Sequence, residues 1–266
     1  MTLTTPPVRS ALICHADDDL GEEGFSRWLA SFSDLRLIVR IVDPPSQFWK
    51  RLRAERARSG TVGLWDVFAF RLWYACLRRR DDRRWEAATL ASLRKRYPEL
   101  PSTCRIVTVD SPNRREVAEA LSETAVDFAM ARCKRILSRR IFRLPRKGVL
   151  VLHPGICPEY RNSHGCFWAI ARGDLANVGA TLLQIDDGID TGPVLGYYRV
   201  SFDPFRETHV RIQHRVVLEN LDAITDKILQ FLDDRAGALA TEGRPSAVWG
   251  QPRLTSYLKG RLGKAP

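Results

Sequence analysis

The chain has 266 residues and a net charge of +11, with 44% hydrophobic and 27% charged residues. That balance supports a folded body with a substantial core and excludes a disordered or fibrous chain. No apolar run approaches the roughly 18 residues needed to cross a bilayer. The opening MTLTTPPVRSALIC has no long apolar region behind a basic start, so a cytoplasmic location without a secretory leader is the expectation.

Six cysteines are scattered without a CxxC pair, so a disulfide framework is not expected in a chain this long and small buried hydrophobes are. His153, Cys157, His164 and Cys166 match no common zinc spacing, so no metal is expected. The basic residues fall in three clusters, 50–58, 78–84 and 132–147. They lack the aromatic interleaving of a single-strand binder, so nucleic acid and membrane are not the expected partners. They suit a solvated surface or the steering of an anionic small molecule.

In chain order, residues 1–9 read as a loose tail and 11–14 as a first strand. The following loop carries His15 and Asp17. An acidic first turn then opens a helix over 22–32, with Phe25, Trp28, Leu29 and Phe32 at helical spacing. Neither GxGxxG nor a P-loop is present, which removes the dinucleotide and phosphate-cradle signatures. Residues 35–42 form a second strand. A long helical insert follows over about 44–97; its aromatics Trp65, Phe68, Phe70, Trp73 and Tyr74 read mostly as a packed face. Strands over 105–109 and 126–131 flank a helix from 111 to about 121. This alternation predicts an α/β fold, a mostly parallel sheet flanked by helices.

The stretch 148–196 concentrates the chemistry. An apolar run delivers His153 before Pro154-Gly155, and a short helix ends near Gly173. A second apolar run over 181–185 leads to the glycine-rich loop that carries Asp190. Strand ends of α/β sheets are where ligands and reacting groups gather. A His and an Asp brought together there make an acid–base pair for work near neutral pH. No GxSxG elbow supports a covalent nucleophile. A last strand is expected over 196–202, one amphipathic helix over 209–232, and a surface tail over 237–266. The expected division is a catalytic domain over 1–236, carrying the insert, and that tail.

The ordered motifs HPGICPEYR (153–161), WAI (168–170), GD (173–174), GAT (179–181) and IDTGPVL (189–195) resemble the 10-formyltetrahydrofolate-dependent formyltransferase family. The family includes the glycinamide ribonucleotide, methionyl-tRNA and sugar N-formyltransferases. The resemblance is good over roughly 105–230. It implies a Rossmann-like fold, 10-formyltetrahydrofolate as co-substrate, and transfer of the formyl group to a primary amine without metal. It further implies His153 and Asp190 as catalytic residues. Arg135, Ile136, Leu137, Asp187 and Gly188 would bind the folate, and His15 and Asp17 would lie near the amine.

The family has Asn two residues before the histidine, and here Val151 stands there. Valine cannot donate to the formyl oxygen, and one such donor is worth roughly 10²–10³ in rate. A substitute side chain (Asn162 is the nearest candidate, with His164), a backbone N–H, or a folate-binding member with degenerate catalysis are the three readings. The amine is expected to be a small metabolite, such as an amino sugar nucleotide or a biosynthetic intermediate. The alternatives are a purine-type enzyme, which the long insert fits poorly, and a methionyl-tRNA enzyme, for whose β-barrel the segment after Asp233 is short. A hydrolase of formyl-folate shares the fold. A homodimer is compatible with all of these.

Overall fold

A computed structural model describes residues 8–263. The expected N-terminal tail therefore lies largely outside the described residues. Contacts divide the chain into two compact units. The first comprises 1–43, 87–151 and 184–187; the second comprises 44–86, 152–183 and 188–266. The 237–266 segment, expected as a surface tail, belongs to the second unit.

Short apolar runs build the strands β1 (Arg9–His15), β2 (Asp34–Ile41), β3 (Arg105–Val109), β4 (Phe128–Arg132), β5 (Val149–His153), β7 (Ala180–Gln184) and β8 (Val194–Tyr198). They lie in one sheet in the order β3-β2-β1-β4-β5-β7-β8. The pairs β1–β2, β1–β4, β2–β3 and β4–β5 are parallel and β7–β8 is antiparallel. The sheet is thus mostly parallel, as expected. Its last strand spans 194–198 rather than 196–202.

In the first unit β1 is buried along almost its whole length, the pattern of a strand covered on both faces. Ala11 and Ile13 join Val39, Val117, Leu121 and Ile141 in one buried cluster. Leu12, Phe25, Trp28 and Phe128 are also fully buried. The expected helix over 22–32 is a π-helical turn, Leu20–Gly24, followed by α1 (Phe25–Ala30). The strand order reverses at β1 and β4, so the crevice outside their carboxyl ends is the switch point where such sheets bind ligands. Helices α4 (Arg115–Thr124) and α5 (Arg139–Phe142) follow β3 and β4 in the chain.

The long insert is α2 (Pro45–Leu77), broken at Gly60 with φ +70°, and α3 (Arg79–Arg96). In the second unit Phe70 packs with Phe167 and Ala171 of α6 (Gly165–Ala171), with Trp73 and Tyr257 against them. Trp65 instead lies 69% exposed, so only part of the expected aromatic face is packed. The single helix expected over 209–232 is two, α7 (His209–Leu218) and α8 (Leu221–Leu232). The Asn220 amide causes the break: it donates to the Val216 and Arg199 carbonyls at 3.0 and 3.1 Å and terminates α7. At the C-terminal end β9 (Val248–Trp249) pairs parallel with β6 (Arg161–Asn162), and α9 (Leu254–Arg261) follows. Asp82, 1% exposed, accepts from Tyr74 Oη and Thr208 Oγ1 at 2.8 and 2.6 Å.

Candidate active site

His153 is the last residue of β5 and is 5% exposed. Its two ring nitrogens meet two different acceptors. Nε2 lies 2.7 Å from the Tyr160 carbonyl oxygen, which can only accept, so Nε2 carries a proton. Nδ1 lies 3.4 Å from Asp190 Oδ2. A lone pair on Nδ1 would face a carboxylate oxygen there. The loop carboxylate therefore stands beside the strand-end imidazole, the two residue types of a proton-transfer pair.

The local backbone fixes both partners. Asp190 sits in the left-handed region with φ +51° and accepts from the Asn162 main-chain N–H at 2.7 Å. Asn162 has φ +78°, and its side-chain amide donates to the Trp249 carbonyl at 2.5 Å. The side chain expected to replace the missing donor is thus engaged at the β9 end, and Asn162 reaches the site through its backbone. The turn after His153 is tied down by Thr181 Oγ1, which donates to the Gly155 carbonyl at 2.6 Å and accepts from the Cys157 N–H at 3.0 Å. A Cβ on Gly155 would lie 2.5 Å from the Tyr160 carbonyl and 2.6 Å from His153 Nε2, so only glycine fits beneath the ring. Burial, reinforced by the Asp190 charge, pushes the Cys157 thiol up to about 12. That thiol stays protonated and is no nucleophile.

In the first unit the segment expected to hold a folate is rigidly built. The Asn113 amide spans it, donating to the Ile136 carbonyl at 2.9 Å and accepting from the Ser138 N–H at 2.7 Å. Arg135 is tied to Asp43 at 2.8 Å and to the Asp110 carbonyl at 3.2 Å. Leu137 buries its side chain in the core. Its main-chain N–H and C=O take no hydrogen-bond partner among the described residues. Asp187 pairs with Arg139, whose hydrogen bonds hold its carboxyl below the usual range. Gly188 leaves room for Thr191: a Cβ there would meet the threonine hydroxyl at 2.0 Å.

His15 is buried, and its Nε2 accepts from the Lys134 N–H at 3.1 Å, fixing the start of the segment that runs to Ser138. Asp17 is exposed. Val151 packs against the first unit's core. Sequence reasoning missed the Tyr160 carbonyl, Asn113 and Thr181. The first is a backbone group and leaves no residue signal. The other two lay in noted segments, but nothing local showed which backbone groups they would span. Among the described residues no group of three His, Cys, Asp or Glu could hold a metal, and no helix is long and apolar enough to cross a membrane.

A mostly parallel sheet with a strand-end His beside a loop Asp places the chain among Rossmann-like α/β proteins. The family model described as formyl transferase matches residues 81–228, more than half of the chain, and the chain belongs to that family. Among curated relatives it is 28% identical over 162 residues to a methionyl-tRNA formyltransferase of Bacteroides fragilis, covering 54% of this chain and 50% of that protein. A methionyl-tRNA formyltransferase of Sorangium cellulosum is 38% identical over 88 residues, 33% of this chain and 27% of that one. The chain therefore spans half or less of the length of these relatives.

The solved phosphoribosylglycinamide formyltransferase of Anaplasma phagocytophilum matches with TM-score 0.56 and 11% identity, covering 92% of this chain and 100% of that one. A sugar N-formyltransferase of a Shewanella species gives 0.53 and 13%, covering 96% and 88%. These two likenesses show the fold.

Proposed function

We propose that the chain is an N-formyltransferase that moves a formyl group from 10-formyltetrahydrofolate to a primary amine of a small metabolite. The observation that carries this reading is the His153–Asp190 pair, with acceptors for both ring nitrogens. The folate co-substrate would supply an electrophilic formyl carbon on a nitrogen leaving group. The Leu137 N–H and C=O, held in place by Asn113, fit the hydrogen-bonding edge of a heterocycle.

An attacking amine must shed a proton, and the leaving nitrogen must gain one. Asp190 takes the amine's proton, directly or through water, with His153 beside it at 3.4 Å. The same pair returns a proton to the leaving nitrogen, so the ring and carboxylate finish as they began. Tyr160 and Asn162 hold the pair in place through their backbones. With Val151 in place of a donor and the Asn162 amide on Trp249, the donor to the developing oxyanion in this reading is His164 or a backbone N–H.

The amine is a small metabolite of the amino sugar nucleotide or biosynthetic intermediate class in this reading. The test is to incubate the protein with 10-formyltetrahydrofolate and a panel of such amines, following tetrahydrofolate release. Release that depends on the amine and is abolished in His153→Ala supports the proposal. Release that His153→Ala leaves unchanged removes the catalytic assignment. Tight folate binding with no turnover on any amine would instead select the degenerate, binding-only reading.

A further inference from the structure

The two backbone groups that hold the His153–Asp190 pair come from one short segment. The Tyr160 carbonyl meets His153 Nε2 at 2.7 Å, and the Asn162 N–H meets Asp190 Oδ2 at 2.7 Å. Strand β6 in this segment is two residues long, and Asn162 sits in the left-handed region. So short a strand takes its position from what packs on it.

What packs on it is a strap from the far end of the chain, residues 244–250. The Ala247 N–H donates to the Pro158 carbonyl and the Arg161 N–H to the Ala247 carbonyl, both at 3.1 Å. The Arg244 guanidinium grips both carboxylate oxygens of Glu159 at 2.9 and 2.8 Å. Trp249 closes the strap. Its indole N–H donates to the Glu159 carbonyl at 2.8 Å, and its own carbonyl accepts from the Asn162 amide at 2.5 Å. Its ring is stacked on Tyr160, with centroids 5.6 Å apart, and on Trp168 at 4.9 Å. Trp168 in turn donates its indole N–H to the Gly250 carbonyl at 2.9 Å. Trp249 thus holds residues 159, 160 and 162, the last two of which touch the pair. All of these residues belong to the second unit. The strap lies beyond residue 228, where the match to the family model ends.

We propose that the strap 244–250 is part of the active site and that Trp249 is its positioning residue, setting the Tyr160 carbonyl and the Asn162 N–H against His153 and Asp190. Trp249 acts through those two backbone groups rather than on the substrate. Misplacing a reacting group by about 1 Å costs up to about 10²-fold in rate. A rigid indole, with two χ angles and hydrogen bonds on either side of the segment, resists that drift better than a flexible side chain does. The inference rests on formyl transfer through the His153–Asp190 pair.

Trp249→Leu and Trp249→Phe in the whole protein test it, with kcat measured well below each Tm and expressed per folded molecule. Leucine removes both the stacking and the indole N–H, and phenylalanine keeps the stacking. Trp249→Leu should lower kcat roughly tenfold to a hundredfold with little change in the KM for 10-formyltetrahydrofolate, and Trp249→Phe should recover most of that loss. A residue that only stabilises the fold would lower Tm and leave kcat per folded molecule as it was. Hydrogen exchange gives a readout that needs no turnover. The Asn162 amide should exchange faster in Trp249→Leu than in the parent, with the amides of β1 unchanged. Arg244→Gln, which loosens the other end of the strap, should act in the same direction by less, and it carries both measurements if Trp249→Leu does not fold. An unchanged kcat per folded molecule overturns the proposal, and so does unchanged exchange at Asn162. A parent that transfers no formyl group to any amine refutes the proposed function alone. Exchange at Asn162 then decides the strap, which stands if the variants speed it and falls if they do not.

Discussion

Replacing Asp190 with asparagine changes one atom of the proposed proton store and almost none of the shape around it. In the parent, Asp190 Oδ2 accepts the Asn162 N–H at 2.7 Å and lies 3.4 Å from His153 Nδ1. The asparagine oxygen can keep the first bond. What disappears is the negative charge beside the imidazole and the group that receives the amine's proton. Positioned acid–base groups contribute roughly 10²–10⁴ in rate, which corresponds to about 3–5.5 kcal/mol of barrier. The fold should lose only the difference between a charged and a neutral acceptor, about 1 kcal/mol, a fall in Tm of about 2–4 °C. The assay is tetrahydrofolate release with the best amine of the panel, with kcat and the KM for folate determined separately. The expected outcome is a kcat lower by at least about a hundredfold with little change in KM. An Asp190→Asn protein within about tenfold of the parent kcat, with the Tm shift just given, would refute the proton-store mechanism and leave Asp190 as a structural residue of its turn.

Three further outcomes follow from the same geometry. Thr181→Val keeps the side-chain volume but leaves the Gly155 carbonyl and Cys157 N–H without the hydroxyl that joins them; the expected cost is about 1–3 kcal/mol for each buried group, read as a lower urea midpoint. Asn113→Ala frees the Ile136 carbonyl and the Ser138 N–H, and should raise the KM for 10-formyltetrahydrofolate by about tenfold or more with a smaller change in kcat; equal KM values would detach this segment from folate binding. His209 is held neutral well below the ordinary histidine value of 6.5, by burial first and by His164 second. The unfolded chain therefore binds the proton that the folded chain refuses, and this stability is full above pH 6.5 and lost as pH falls below it, at up to about 1.4 kcal/mol per pH unit. His209→Phe should flatten that acid limb in denaturation curves at several pH values, and an unchanged limb would show that other groups govern it.

Much of the fold and of the candidate site was legible without coordinates. Short apolar runs separated by turns announce strands, because a chain must bury them and strands covered by helices are apolar on both faces. The positions of β1 to β5 and β7 follow to within a few residues. His153 stood out because it ends an apolar run before Pro154-Gly155, and Asp190 because it lies between Gly188 and Gly192 in the loop after another apolar run.

What the sequence determined by itself is the set of elements and the residue types at their ends, since both depend on neighbours within one turn of chain. The tertiary structure alone decided which atoms those residues meet. The Asn162 side chain goes to Trp249 and its backbone to Asp190, 87 and 28 residues away. The His153 ring lands on the Tyr160 carbonyl. Strand β8 runs antiparallel, and α7 stops at Asn220 because one amide reaches two carbonyls. Periodicity shows which face of a segment is apolar, but a hydrogen-bond partner is selected by the approach of distant backbone, and that approach exists only once the chain has folded.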